Sequence, residues 1–252
     1  MPGTYQKNYW RVGFATKFYD WLCPEAYWQS IRTCVELAPN TKDAVWLDVG
    51  CGSGQLIRYI AEKHGRRFKY LGLDMLTPGL RAAKMKAESL ADNPSAIFVQ
   101  SDLTQPLPLR TASVDIAVAH FSLYTLADGK DRRRVLEQIR ALLKPKGRLI
   151  VANPSLSYDV TEIIKASMEL DWEKCGPFVT MLKRSFIYPL TARFGLKFIK
   201  QQLTEKHWHA YSLEELKQEV ESAGFHVEKS ATVYGNSGYL VVGRVDLATL
   251  AH

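Results

Sequence analysis

Residues 44–56 read AVWLDVGCGSGQL: an apolar run of strand formers, an acid at Asp48, then Gly50, Gly52 and Gly54 leading into a helical pattern. No other stretch of the chain restricts its architecture as much. A strand that stops in a glycine loop and hands over to a helix opens a βαβ unit, which builds a parallel sheet between two helix layers. The next residues keep that alternation. QLIRYIAEKHG places Leu56, Ile57 and Ile60 on one helical face before Gly65. FKYLGLD reads as a second strand, LRAAKMKAESLA as a helix, AIFVQSD as a third strand and VDIAVAHF as a fourth. RRRVLEQIRALLKPKG reads as a helix that stops at Pro145 and Gly147, and RLIVAN as a fifth strand.

The C-terminal part departs from strict alternation. SLEELKQEVESAGF is a helix with capping-box spacing between Ser212 and Glu215 and a stop at Gly224. HVEKSATVY and GYLVVGRV, joined by GNSG, read as a hairpin, whose two strands must run antiparallel. The predicted class is α/β: a doubly wound, seven-stranded sheet with an antiparallel last strand. Between strand five and the last helix, Pro154 to Tyr211 far exceeds an ordinary link of roughly 2–6 residues. Its apolar residues recur near helical spacing, which predicts an inserted helical cap. FATKFYDWLCPEAYWQSIRTCVELAP is also helical in pattern and very aromatic. The expected organisation is a helical lid over 1–40, a core over 41–153 and 211–247, and a cap over 154–210 that serves the substrate.

With 252 residues, 46% of them hydrophobic, the chain can bury one sizeable core and still elaborate a lid. A net charge of +7 permits an anionic partner without requiring one. The basic run Asp131–Arg134 reads as a solvated helix face, and no RNA-binding signature is present. Cys23, Cys34, Cys51 and Cys175 form no C-x-x-C and stand near no histidine at ligand spacing, so neither a disulfide scaffold nor a metal site is expected. The N-terminus lacks the apolar core of a signal peptide, and no stretch approaches a membrane span of ~20 apolar residues. The expected location is cytoplasmic.

The glycine loop limits the ligand. A dinucleotide would want G-x-G-x-x-G, yet Gln55 stands at the third glycine's place, and the lysine of a phosphate-cradling loop is missing. Asp48 sharpens the choice. A carboxylate roughly 6 Å from a pyrophosphate costs about 3 kcal/mol per charge at an effective dielectric near 20, and beside a cation the sign reverses. The loop suits a nucleoside with a positively charged tail, such as S-adenosylmethionine.

LDVGCGSG resembles the first motif of the class I S-adenosylmethionine-dependent methyltransferases, an acid followed by three alternate glycines. The likeness covers most of residues 41–153, with a similar tail at 211–245, and within that family it favours the small-molecule branch of quinone-biosynthesis and natural-product enzymes. The resemblance implies a Rossmann-like core and S-adenosylmethionine as cofactor, with S-adenosylhomocysteine as product. It puts Asp48, Gly50, Cys51, Gly52 and Gly54 around the methionine portion, Cys51 as small filler. Asp74 takes the ribose hydroxyls, Met75 lies against the adenine, and Ser101, Asp102 and Leu103 stand near its amino group. His120 follows strand four, and Tyr19, paired with Asp20 in the N-terminal helix, is the expected lid residue over the cofactor.

Methyl transfer needs in-line positioning, and a base only when the acceptor carries an acidic proton. His120 and Tyr124 are the catalytic candidates: one could remove a proton, and the other could orient the acceptor. Tyr124 stands where related enzymes often carry histidine. His207 and His209 flank Trp208 at the end of the cap and read as surface or structural. The Asn-Pro-Pro-Tyr pattern of amino-methylating nucleobase enzymes is missing after strand four, where the chain reads AHFS. The preferred acceptor is a small or moderately hydrophobic metabolite, methylated on O, N or C. Two rivals are carried: an RNA or DNA methyltransferase, which the motif pattern disfavours, and a non-catalytic cofactor-binding protein of the same fold. Oligomeric state is left open.

Overall fold

The computed structural model describes residues 18–65, 67–90 and 95–245. Tyr5, Tyr9 and Trp10 lie outside the described residues, and of Tyr19 only the backbone is described. Among the described residues two helices come first, α1 (Phe18–Leu22) and α2 (Glu25–Leu37). The core then runs β1 (Ala44–Val49), α3 (Gln55–His64), β2 (Phe68–Asp74), α4 (Thr77–Ser89), β3 (Ser95–Gln100), β4 (Val114–His120), α5 (Gly129–Leu142) and β5 (Leu143–Pro154). Next come α6 (Val160–Leu182), α7 (Tyr188–Thr191) and α8 (Lys197–Thr204), followed by α9 (Leu213–Ser222), β6 (Phe225–Val233) and β7 (Gly238–Val245).

The seven strands lie in the order β3-β2-β1-β4-β5-β7-β6. The first five in that row are parallel, while β7 runs antiparallel to both β5 and β6. The chain winds outward from β1 to β3 and returns to β4, so the direction of winding reverses between β1 and β4. Ligands of such sheets sit at that switch point, beyond the C-terminal strand ends.

Alternation along each strand feeds two cores, because successive side chains point to opposite faces. Trp46, Tyr70, Ile116, Val118 and Ile150 face Ile31, Ile57, Ile60 and Ile163. Leu47, Leu73, Ala117, Leu149 and Val151 face Val135, Ile139, Leu216 and Val220. The Ser212 hydroxyl accepts the Glu215 N–H at 3.1 Å, as the capping spacing predicts, but the Glu215 carboxylate turns to His209 at 2.7 Å instead of closing the box.

One boundary differs from the sequence reading. LKPKG belongs to β5 and not to the tail of α5, which ends at Leu142. Pro145 has no N–H to give a helix and disfavours helical backbone at Lys144. The strand edge accommodates it through a register shift against β4 between Val114 and Ile116.

Helices α6–α8 fill the long segment before α9. Helix α6 is broken at Gly176 (φ 77°, ψ 175°), and two π-helical turns, Lys183–Ile187 and Ala192–Leu196, flank α7. Polar contacts fasten this assembly to the N-terminal helices. Ser167 Oγ accepts the Ala26 N–H at 3.1 Å, Glu25 takes Arg32 at 2.7 Å and Lys174 at 3.1 Å, and Thr191 donates to the Leu22 carbonyl at 2.8 Å. Buried Asp171 accepts from Lys183 at 2.5 Å and from the Tyr188 hydroxyl. No described helix is long and apolar enough to cross a membrane.

Candidate active site

The glycine loop is folded back onto β2. The N–H groups of Gly50 and Cys51 both donate to the Leu73 carbonyl at 2.8 Å, and Gly54 N–H closes onto the Cys51 carbonyl at 2.8 Å. Two positions demand glycine. At Gly50 (φ 79°) a Cβ would lie 2.5 Å from the Cβ of Ser122, and at Gly54 (φ 72°) it would lie 2.7 Å from the Cβ of Ala83. The loop is therefore wedged between the segment after β4 and helix α4, with the start of α3 behind it.

Two carboxylates sit under this loop. Asp48 is buried and accepts the Tyr70 hydroxyl. Burial pushes its carboxyl up to about 7, against the Tyr70 hydrogen bond, with the nearby Asp74 adding to the rise. Asp74, at the end of β2, accepts the Gly52 N–H through Oδ2 and the Leu76 N–H through Oδ1, both at 2.8 Å. Burial raises it too, opposed by the N–H groups of Leu76, Gly52 and Met75. Asp74 thus shapes the loop directly. Half-buried Met75 follows it, and its carbonyl accepts Gln100 Nε2 at 3.0 Å.

Ser101 is buried, and its N–H donates to the Asp74 carbonyl at 2.9 Å. Exposed Asp102 spends Oδ1 on its own turn, accepting the Thr104 N–H at 3.0 Å and the Thr104 hydroxyl at 2.8 Å. Leu103 packs beside the second core. Cys51 is buried, and burial pushes its thiol well above the usual range, in keeping with filler rather than nucleophile.

His120 ends β4 and is buried, its ring packed on Phe121 and Tyr27 with centroids 4.6 and 5.0 Å away. Its Nε2 lies 2.7 Å from Ser30 Oγ, and that hydroxyl also donates to the Tyr27 carbonyl at 2.7 Å. A hydroxyl has one proton, so His120 Nε2–H must be the donor to Ser30. Burial lowers His120 to about 3 and keeps the ring neutral. Ser30 also lines a cavity of about 330 Å³ with Gln29, Thr33, Ala166 and the Tyr234–Asn236 turn.

Tyr124 is buried against Trp208 and Phe121. Its backbone joins β5 to the end of the α6–α8 segment: Tyr124 N–H donates to Asn153 Oδ1 at 3.3 Å, and its carbonyl accepts His209 N–H at 2.8 Å. Helix α1 reaches the loop through Asp20, which accepts Ser53 Oγ at 3.0 Å and Lys86 Nζ at 2.9 Å.

Sequence reasoning missed Tyr70, Ser30, Ser122 and Asn153. Alternation in FKYLGLD sets Tyr70 on the face of Gly72, and register pairs Gly72 with Asp48, but register is not written in either strand alone. Buried Ser122 Oγ and Asn153 Nδ2 have no hydrogen-bond partner among the described residues. An unpartnered hydroxyl beside Gly50 and two carboxylates below it fit a polar, cationic ligand and oppose a polyphosphate.

Residues 40–223 match the family described as "Methyltransferase domain". The chain belongs to this family. It is 32% identical over 107 residues to an O-methyltransferase of Pyrenophora dematioidea, covering 42% of this chain and 38% of that protein. It is 30% identical over 133 residues to the demethylmenaquinone methyltransferase of Lactococcus lactis, covering 53% of this chain and 50% of that one. The chain thus spans about half, or less, of the length of these curated relatives. Among solved structures, a SAM-dependent methyltransferase from Methanosarcina mazei superposes with a TM-score of 0.56 at 20% identity, covering 82% of this chain and 94% of that one. That likeness establishes the fold: the Rossmann-like sheet of the S-adenosylmethionine-dependent methyltransferases.

Proposed function

We propose that the protein is an S-adenosylmethionine-dependent methyltransferase acting on an O, N or C atom of a small or moderately hydrophobic metabolite. The observation that carries the proposal is the pair of carboxylates under the glycine loop, Asp48 held by Tyr70 and Asp74 holding the Gly52 N–H. Two acids there attract an ammonium and a sulfonium and repel phosphates. The relatives named for O-methylation and for a quinone precursor support the small-molecule class.

In this reading Asp74 accepts the ribose hydroxyls and Met75 lies against the base. The loop glycines, the start of α3 and the Ser122 hydroxyl surround the amino-acid tail, and Ser101, Asp102 and Leu103 border the adenine. When bound, the cofactor supplies a methyl on a positively charged sulfur. His120 stays neutral under that charge and spends Nε2–H on Ser30, so it fixes α2 over the site rather than removing a proton. Tyr124 holds the loop after β4 in place. The α6–α8 segment encloses the acceptor and Asp20 latches α1 down, so positioning supplies the rate.

Calorimetric titration with S-adenosylhomocysteine, S-adenosylmethionine and NADH tests the binding half. The first two are expected to bind and the third not; tight NADH uptake alone would end the proposal. Asp74→Ala is expected to weaken nucleoside binding by about 2–3 kcal/mol, as for hydrogen bonds lost to a charged group. Unaltered affinity contradicts its ribose role. Release of S-adenosylhomocysteine with a panel of phenols, amines and quinols tests the chemistry.

A further inference from the structure

The outer surface of the α6–α8 segment carries a feature that methyl transfer does not use. Phe178, Leu182, Phe186, Leu190 and Phe194 recur at every fourth residue. Phe178 is 76% exposed, Phe186 65% and Phe194 54%, with Met181 and Leu182 exposed beside them. The opposite side of the same helices is buried through Thr180, Tyr188, Thr191 and Leu196. In a straight α-helix a four-residue repeat drifts by about 40° per step and would wrap around the axis. The π-helical turns at Lys183–Ile187 and Ala192–Leu196 hold more residues per turn and take up part of that drift. Exposed apolar side chains in such a row, interrupted by half-buried Leu190, mark an interaction surface.

Charge identifies what the surface meets. From residue 174 to 204 the chain contains Lys174, Lys183, Arg184, Arg193, Lys197 and Lys200 and no Asp or Glu. Lys174, Lys183 and Lys200 reach carboxylates on α6, α2 or the turn before α6. Arg184, Arg193 and Lys197 are exposed and meet no carboxylate among the described residues. The Arg193 guanidinium lies 5.7 Å from the Phe194 ring centre. A second copy docking by the same face would oppose cation to cation. An anionic bilayer accepts both features at once: aromatic and aliphatic side chains enter the headgroup boundary, and the cations meet lipid phosphates.

We propose that this face seats the protein on an anionic lipid bilayer as a peripheral, non-spanning attachment. The attachment goes beyond the methyltransferase reading and does not depend on it, because vesicle binding and nucleoside binding are measured separately. The test is co-sedimentation of the full chain with phosphatidylcholine vesicles, with and without phosphatidylglycerol, at low and high salt. Binding to the phosphatidylglycerol vesicles, weakened by salt and absent from neutral ones, is expected. Arg184→Glu with Arg193→Glu and Lys197→Glu is expected to reduce that partition by roughly tenfold or more. Phe186→Ser with Phe194→Ser is expected to weaken it at both salt concentrations, with S-adenosylhomocysteine affinity and far-ultraviolet circular dichroism unchanged. Wild-type protein that stays in the supernatant with every vesicle overturns the proposal. So does a dimer in light scattering that Phe186→Ser with Phe194→Ser dissolves, which would assign the face to a second copy.

Discussion

At Gly54 a single methyl group decides whether the loop can form. Its φ of 72° is costly for any other residue, and an added Cβ would press on Ala83 at 2.7 Å from its Cβ and 2.9 Å from its Cα. Gly54→Ala is expected to cost about 2–4 kcal/mol, the sum of backbone strain and overpacking, read as a lowered Tm together with weakened S-adenosylhomocysteine binding. Thermal melts matching wild type would mean that the loop shifts freely, and the wedge argument would fail. Neighbouring Asp48 shows how far a residue can be read without a structure. Its acidic side chain and its place at the end of β1 were legible, and they favoured a cationic ligand over a polyphosphate. Its burial beneath Tyr70 was not, because that contact spans two strands whose register no local pattern encodes. Asp102 carries a contact that its position in QSDL did not reveal: its Oδ1 closes a turn onto Thr104.

Among the elements, α1 and the α6–α8 segment give this chain its individuality. Helix α1 has only five residues, so its place depends on contacts, chiefly Asp20 with Ser53 and Lys86 and the Leu22 carbonyl with Thr191. The Lys86–Asp20 pair is partly exposed, and such pairs contribute roughly 0–1 kcal/mol. Asp20→Ala is therefore expected to raise the nucleoside Kd by up to about fivefold with little change in Tm. A fall in Tm with unchanged Kd would make the contact structural and not a latch. The α6–α8 segment announced itself by its length and helical spacing. Its π-helical turns did not, although Pro189 stands just after the first and Gly195 lies within the second.

For the molecule as a whole, two buried groups pull stability in opposite directions with pH. Burial lowers His120 from 6.5 to about 3, so its contribution is present above 6.5 and is lost as pH falls toward 3. Burial raises Asp48 from 3.8 to about 7, so its contribution is present below about 4 and is lost as pH rises through 7. Between those limits the unfolded chain holds the extra proton of His120 and the folded chain holds that of Asp48. Relative to wild type, His120→Gln is expected to tilt Tm downward with rising pH across this window, and Asp48→Asn to tilt it upward. Parallel Tm–pH curves for all three proteins would show that neither group is buried in the manner described. The amino-acid sequence alone determined the alternation of strands and helices, the glycine loop with the acid at its mouth, and the antiparallel finish. Those are local matters of periodicity, turn chemistry and charge at adjacent positions. Tertiary structure alone decided that Asp48 and Asp74 share the space under one loop, that His120 spends its proton on Ser30, and that a row of phenylalanines ends on the outside. Each of these depends on which distant segments pack together, and that is settled by strand register and helix docking rather than by any neighbouring residue.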